Sequence, residues 1–460
     1  MAAANTTTII YGDVAWMLAS TALVLGMTIP GLALYYSGLV RVKNVLACIM
    51  QIFSIVCLIS ILWLFFGYSL AFAPAAQNLD KKCCLLFGDS SRFWMNGMTI
   101  TSVHQLAQNI PEALFSAYEL AFAIITPALI CGSFADRMKY SPMLLFVAVW
   151  HLLVYCPIAH ANWHPNGFLF ELGVLDYAGG NTVHISSGVA GLVSTVLLGH
   201  RKGFGSEVFK PYNILFTFVG CCMLWVGWFG FNAGSAFAAN ERAAFALLMT
   251  QLATSASALS WLATEWVVRG HPSVSAILSG AIAGLVAITP AAGYVDQTGA
   301  FFIGFLAGPI CYFGAQVKHR LGYDDALDAF GVHAIGGVTG GILTGFFATD
   351  KVAPGVHSVF YSHAGSLLGA RQLGMQLVGI AFSAGWSAVL SYIILKSIDL
   401  SWGLRVSEAE EEAGLDITLH KETLVVDGET DKSDLSVVEI ARLSEPLELP
   451  PTESKNVDCI

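Results

Sequence analysis

The chain has 460 residues, of which 55% are hydrophobic and 12% charged, and its mean hydropathy is +0.66. This composition excludes an ordinary soluble globular protein and indicates a membrane protein. The formal net charge of −10 comes with no basic patch, which argues against a nucleic-acid partner.

Stretches of roughly membrane-spanning length with few or no charges follow one another along the whole chain. There are eleven: Val14–Tyr36, Val45–Phe72, Ala113–Phe134, Pro142–Ala159, Thr182–Gly199, Tyr212–Phe231, Ala243–Val268, Pro272–Val295, Gly299–Val317, Ala329–Ala348 and Gln372–Leu395. A transmembrane barrel would show short alternating segments instead. The sequence therefore predicts an all-α polytopic membrane protein with eleven transmembrane helices.

Basic residues in the short connecting loops predict the orientation of these helices. Ten of them fall in loops on one side: Arg41, Lys43, Arg137, Lys139, Arg201, Lys202, Lys210, Arg269, Lys318 and Arg320. Six fall on the other side: Lys81, Lys82, Arg92, Arg242, Lys351 and Arg371. We therefore expect the N-terminus outside and the C-terminus in the cytoplasm, in the plasma membrane or an internal membrane.

Two histidines, His184 and His333, lie inside apolar stretches and are followed by the same pattern. Glycine, valine and glycine stand at +4, +5 and +7 from each, as Gly188, Val189 and Gly191 and as Gly337, Val338 and Gly340. An imidazole inside a membrane is costly and is by default a functional hypothesis. Two at equivalent points indicate one site between duplicated halves, although each could instead be satisfied by a neighbouring helix.

The duplication also predicts the organisation of the chain. Spans one to five and six to ten form two repeats, inverted because each has an odd number of helices, and the eleventh span lies outside them. We expect a membrane domain over residues 1–398 and a cytoplasmic regulatory tail over residues 399–429. The acidic residues 430–460, rich in Ser, Glu, Asp and Pro, are predicted to be disordered.

Several segments together resemble the ammonium transporter family, which includes Amt, Mep and Rh proteins. They are Asp176–Gly180, Trp228–Ser235, Asp328–His333, Ala159–His160 with Trp163, Ser37–Gly38 with Arg41–Asn44, and Ile288–Gly293. The resemblance covers about residues 10–425, and Trp163 with Ser235 favours the Amt-type branch, which recruits the ion. It implies a homotrimer in membrane lipid with one pore per protomer. It also implies transport of ammonium or ammonia without a cofactor, metal or catalytic residue.

The resemblance also implies roles for individual positions. Trp163, Ser235 and Phe122 match the outer ammonium-binding site, Phe122 and Phe231 match the gate below it, and His184 and His333 match the pore histidines. Asp176 matches a carboxylate that supports the outer site without touching the ion, although it could also simply cap a helix start. Thr418 matches a regulatory threonine of the tail, where a phosphate beside Asp416 would repel and undock the segment.

The physical chemistry of ammonium agrees with these assignments. An aromatic face and a hydroxyl acceptor compensate the cation as it leaves water. Beyond the gate, burying an uncompensated charge is costly, so we expect ammonium to lose a proton and neutral ammonia to pass the histidines. Sodium and potassium have no proton to lose and are excluded. The proton can either stay outside or be carried across as well.

Two positions depart from the family pattern. Glu119 stands near Phe122 where glutamine is common, which predicts altered electrostatics and pH response at the outer site. Lys421 replaces the glycine that is usual after the tail histidine.

Three alternatives remain beside an ammonium transporter. The first is an ammonium sensor that signals through its cytoplasmic tail. The second is a membrane enzyme with the two histidines as metal ligands, for which the sequence shows no third ligand at a suitable spacing. The third is an Rh-like gas channel, against which Trp163 and Ser235 argue.

Overall fold

The computed structural model describes residues 8–73, 85–362 and 367–424. Within them, ten helices are long and apolar enough to cross a membrane, and one further apolar helix, α8, has 15 residues. They are α1 Tyr11–Leu39, α2 Val42–Phe72, α3 Glu112–Phe134, α4 Tyr140–Leu172, α5 Gly180–Leu198, α6 Ile214–Gly234, α7 Glu241–Arg269, α8 Val274–Ile288, α9 Gln297–Leu321, α10 Phe330–Phe347 and α11 Leu368–Trp402.

The described residues contain isolated β-bridges but no strand, so the predicted class of all-α polytopic membrane protein is confirmed. Helix α3 is buried along nearly its whole length and forms the centre of the bundle, whereas most of α11 faces outward. The count of eleven membrane crossings depends on the short α8. The predicted disordered region at 430–460 lies outside the described residues.

The predicted eighth span, Pro272–Val295, begins within two residues of helix α8 but extends seven residues past its end. Helix α8 begins after Ser273, whose side chain accepts a hydrogen bond from the amide of Ala276 at 3.1 Å and caps the helix. It ends at Ile288, and the chain then turns through residues 289–293. The carbonyls of Thr289 and Pro290 in this turn accept hydrogen bonds from the segment that precedes α5.

Both histidine-bearing helices begin with a π-helical turn, Gly180–Ile185 in α5 and Phe330–Ala334 in α10, followed by 13 α-helical residues. The two turns cross at close range. A Cβ atom at Gly188 would lie 2.8 Å from Ala334 Cβ, and one at Gly337 would lie 2.9 Å from Ile185 Cγ1. In each half, the glycine four residues after the histidine thus faces the residue directly after the other histidine. Glycine at these positions is what lets the two helices meet.

The segment after α11 packs against one end of the bundle, which we call the tail face. It contains two short helices, α12 (Glu408–Ala413) and α13 (Leu415–His420). The Asp416 carboxylate accepts hydrogen bonds from the amides of Leu46 and Ala47, at 3.1 and 2.7 Å, and so caps the first turn of α2. The amide of Leu415 donates to Asn44 Oδ1 at 2.9 Å. The tail therefore closes the exposed end of a membrane helix.

Ion pairs hold the loops of the tail face together. Arg201 donates to both carboxylate oxygens of Asp324, at 2.9 and 2.7 Å, and also pairs with Asp136 at 3.2 Å. Burial alone would raise the pKa of Asp324, but Arg201 and Arg137 outweigh it and hold this pKa below its usual value. The pair therefore stays ionised. Buried Glu411 joins the tail to the same face, accepting from Arg405 at 2.7 Å and from the Lys202 amide at 2.8 Å.

Candidate functional site

A cavity of about 480 Å³ opens at the end of the bundle opposite the tail face. Helix α3 relates the two ends, because Phe134 lies next to the tail face and Glu112 is 22 residues, or roughly 33 Å, away. We call this space the aromatic cavity. Its lining includes Phe72, Glu119, Phe122, Trp163, Asp176, Tyr177, Ser235, Phe237, Arg242 and Tyr294. The structure thus brings together Trp163, Ser235 and Phe122, which the family resemblance assigns to one binding site.

The Trp163 ring is fixed from two sides. Its indole nitrogen donates a hydrogen bond to the carbonyl oxygen of Asp176 at 2.9 Å. Its ring lies nearly parallel to Phe72, with centroids 6.5 Å apart, and meets Phe122 edge-on at 5.8 Å. Trp163 is only partly buried. Trp163, Phe72 and Phe122 thus line the cavity with aromatic surface, which suits a small cation that has lost part of its water shell.

Asp176 organises the segment between α4 and α5. Its carboxylate accepts hydrogen bonds from the amides of Gly179, Asn181 and Thr182, each at 3.1 Å, and from the Thr182 hydroxyl at 3.0 Å. Gly179 has a φ of +113°, which strains a residue with a side chain. Asp176 therefore caps the helix that carries His184. The same residue positions Trp163 through its carbonyl, so capping and support of the cavity are compatible.

Ser235 lies just after the last residue of α6, with its side chain in the cavity wall. Its hydroxyl donates to the Phe231 carbonyl at 2.9 Å and lies 3.3 Å from the Tyr118 hydroxyl. Tyr118 also donates to the Phe231 carbonyl, at 2.7 Å. Because the Ser235 proton is engaged with its own helix, its oxygen lone pairs can accept a hydrogen bond from a ligand.

Two stacked phenyl rings close the floor of the aromatic cavity. Phe122 of α3 and Phe231 of α6 have centroids 4.1 Å apart and planes 28° apart. Both are buried, at 2% and 0% exposure. The Phe231 centroid is 6.3 Å from that of His184, so the rings separate the cavity from the histidines. The stacked pair therefore lies between the aromatic cavity and the two histidines.

His184 and His333 face each other beneath these rings. Their Nδ1 atoms are 3.3 Å apart, and the ring planes differ by 19°. One Nδ1 must donate and the other accept, so a single proton lies between them and the tautomers of the two rings are linked. The second ring nitrogen of His184, Nε2, has no hydrogen-bond partner in the described part of the chain. This nitrogen is therefore available to a small polar molecule.

The structure adds residues to which the sequence reasoning gave no role. Trp228 stacks on His184 at 5.4 Å and donates its indole proton to Thr289 Oγ1 at 2.9 Å, which fixes the imidazole plane. Tyr118 supports Ser235, and Phe72 supports Trp163. For Trp228 a signal existed, since it lies three residues before Phe231 on the same helix face. Tyr118 has a similar signal, since it lies four residues before Phe122 on α3, whereas no sequence signal identifies Phe72.

Thr418 lies far from this site, on α13 at the tail face. It is half-buried, and its hydroxyl donates to the Gly414 carbonyl at 2.8 Å within its own helix. Asp416, which caps α2, is two residues away. A change of charge at Thr418 therefore occurs next to the contact that docks the tail.

Comparison with known proteins identifies the family. A model described as the Ammonium Transporter Family matches residues 15–425. The ammonium transporter of Bacillus subtilis is 42% identical over 413 residues, covering 89% of this chain and 98% of the relative. That of Aquifex aeolicus is 44% identical over 412 residues, covering 89% and 92%. The crystal structure of Saccharomyces cerevisiae Mep2 matches with a TM-score of 0.77 at 34% identity, covering 88% of this chain and 89% of Mep2. The chain belongs to the ammonium transporter family.

Proposed function

We propose that this protein transports ammonium across a membrane, by binding the ion in the aromatic cavity and conducting ammonia past His184 and His333. The observation that carries the proposal is the order of three features along one line. The aromatic cavity is followed by the stacked Phe122 and Phe231 rings, and these by the paired histidines. In a member of the ammonium transporter family, this order matches the steps that the ion must undergo.

Ammonium binds in the cavity through its charge and its four N–H donors. Trp163 and Phe122 supply π-faces, and the Ser235 oxygen accepts a hydrogen bond. Cation–π attraction contributes about 0.5–2 kcal/mol, increasing as water is removed. Asp176 supports this site without contacting the ion, since its carboxylate and its carbonyl are both engaged within the protein.

Below the rings, the environment selects a neutral molecule. A bare cation there has no water and no anionic partner, and cation–π attraction is too small to offset the lost hydration, which costs several kcal/mol. Ammonia can instead exchange hydrogen bonds with the imidazoles, whose nitrogens offer both donors and acceptors. Potassium has the same charge as ammonium but cannot lose a proton, so it does not pass the rings.

The remaining features define the setting of this pore. We infer that the aromatic cavity faces outside and the tail face lies in the cytoplasm, because the basic loops at residues 41–43, 137–139 and 201–202 lie at the tail face. Residues 1–398 form the membrane domain of a homotrimer, and residues 399–429 form a regulatory tail. Thr418 controls this tail through the docking contact of Asp416 with α2.

Current and ammonium flux measured together in proteoliposomes test this function. Ammonium flux that saturates and is absent from protein-free vesicles supports transport. One charge per ammonia shows that the proton is carried across, and flux without current shows that it stays outside. Purified, trimeric protein without ammonium flux in either direction would overturn the proposal.

A further inference from the structure

Two acidic residues, Asp176 and Glu119, line the aromatic cavity, and their carboxylates differ in hydrogen bonding. The Asp176 carboxylate accepts hydrogen bonds from Gly179, Asn181 and Thr182. Protonation of this carboxylate would remove the charge that strengthens these hydrogen bonds and would loosen the start of α5. Asp176 is therefore committed to structure, and a proton acceptor in this cavity has to be sought elsewhere.

Glu119 is the second of these acids. Its side chain lines the cavity although the residue is only 5% exposed, and Oε2 has no hydrogen-bond partner among the residues that the structure describes. An unsatisfied buried oxygen is costly, and more so when it carries charge. Neither packing nor capping of α3 requires a carboxylate there, since Glu119 lies two turns inside the helix.

The position of Glu119 matches the point at which ammonium must lose its proton. It lies three residues before Phe122 on α3, so both side chains lie on one face of the helix, about one turn apart. Glu119 is nearer the open end of the helix and Phe122 nearer the histidines. An ion held against the Phe122 ring therefore meets this carboxyl before the ring pair opens.

We propose that the Glu119 carboxylate accepts the proton that ammonium loses before ammonia passes Phe122 and Phe231. The inference rests on the proposed transport function and assigns a residue to its deprotonation step. One N–H bond breaks, its electron pair stays on nitrogen, and an O–H bond forms at Glu119. A cation and an anion thus become two neutral molecules, which is favoured where water is scarce. Water in the cavity then takes the proton from Glu119 and restores the carboxylate.

The surroundings of Glu119 contain few competing charges. Three phenols lie within electrostatic range of it: Tyr68 on α2, Tyr118 on α3 and Tyr155 on α4. The charged groups that share the cavity lining are Asp176 and Arg242. Arg242 is occupied by the Gly293 carbonyl at 3.0 Å and by the Tyr177 and Tyr294 rings. We therefore expect the pH dependence of transport to report mainly on Glu119.

Glu119→Gln tests the proposal, because it keeps the size and one acceptor oxygen but cannot act as this base. We expect the maximal ammonium flux to fall at least tenfold, with the half-saturating concentration changed less than about threefold. In the wild type, acidification should reduce the flux, because Glu119 is then already protonated and cannot accept another proton. In Glu119→Gln this dependence of the flux on pH should be absent. Glu171→Gln removes an exposed carboxylate at the same end of the bundle and should leave all three properties unchanged.

Several results would overturn the proposal. Glu119→Gln with wild-type maximal flux and pH profile would show that no proton passes through this group. A higher half-saturating concentration with unchanged maximal flux would reduce Glu119 to electrostatic attraction. If Glu119→Gln does not assemble, Glu119→Asp gives the answer: it shifts the carboxyl, so the pH of half-maximal flux must move, and an identical profile contradicts the proposal. Wild-type protein without ammonium flux would instead refute the transport function itself.

Discussion

The Trp163 indole donates a hydrogen bond to the carbonyl oxygen of Asp176 across 2.9 Å, while the Asp176 carboxylate closes the first turn of α5. One residue thus links the wall of the aromatic cavity to the helix that carries His184. Asp176 thus positions both the Trp163 ring and the helix of His184. We therefore expect substitution of Asp176 to affect both residues.

Asp176→Asn tests this link. The asparagine amide has only one acceptor oxygen for the donors of Gly179, Asn181 and Thr182. Its NH₂ group would face some of these N–H donors and could not bond to them. Hydrogen bonds to a charged group contribute about 1.5–3 kcal/mol each, so we expect a lower melting temperature and at least a tenfold loss of ammonium flux. Asp350→Asn, an exposed acid at the same end of the bundle, is the control. Wild-type stability and flux in Asp176→Asn would contradict the role given to this carboxylate.

The Trp163 face is predicted to contribute directly to ammonium binding. Trp163→Leu should raise the half-saturating ammonium concentration by about 2- to 30-fold, which corresponds to a loss of roughly 0.5–2 kcal/mol of cation–π attraction. Discrimination against potassium should weaken in parallel. Trp94→Leu replaces an exposed tryptophan outside the cavity and should leave both unchanged. If Trp163→Leu and the wild type had equal affinity and selectivity, the ring would be only a packing element.

Substitution of His184 or His333 is expected to change conduction through the pore rather than ammonium binding. Removing one imidazole leaves the other without its 3.3 Å partner and opens space that water can enter. We expect His184→Ala to lose most ammonium flux or to conduct potassium through a hydrated pore, while the trimer still assembles. Flux and potassium current are measured on the same vesicles. A His184→Ala protein with wild-type flux and potassium exclusion would show that the histidines only pack.

The tail gives a prediction about regulation. Thr418→Asp adds a negative charge two residues from Asp416, whose carboxylate caps α2 through Leu46 and Ala47. Repulsion should undock α13 and reduce transport severalfold at an unchanged surface level. Ser401→Asp adds the same charge at the exposed end of α11 and should have little effect. Full activity of Thr418→Asp would mean that this segment does not restrain the pore.

Hydropathy predicts the bundle because the membrane imposes it, but it does not determine where helices end. For α8, the predicted span continues to Val295 because residues 289–295 are largely apolar. The structure ends the helix at Ile288, two residues before Pro290, and the carbonyls of Thr289 and Pro290 accept hydrogen bonds from the segment before α5. Pro290 is a local signal for a helix end that hydropathy does not register, whereas the contact with the segment before α5 joins distant parts of the chain.

In the candidate site, too, some features are predictable from the sequence and others depend on contacts between distant parts of the chain. The equal glycine offsets from His184 and His333 follow from a crossing of two helices, so the amino-acid sequence alone predicts that the two histidines lie together. The π-helical turns in which both lie add one residue per turn and leave no mark in the spacing of apolar residues. The support of Trp163 through the main-chain oxygen of Asp176 was not predictable either, because a carbonyl is present at every residue.

The central claim is that only a molecule able to shed a proton passes the Phe122 and Phe231 rings. The most direct test supplies wild-type proteoliposomes with potassium outside and a small concentration of ammonium, and measures both fluxes in the same vesicles. We expect saturable ammonium uptake with no potassium flux above protein-free vesicles, and uptake that persists under a large excess of potassium. Potassium flux comparable to that of ammonium would mean that the intact cation crosses the rings, and would contradict this account.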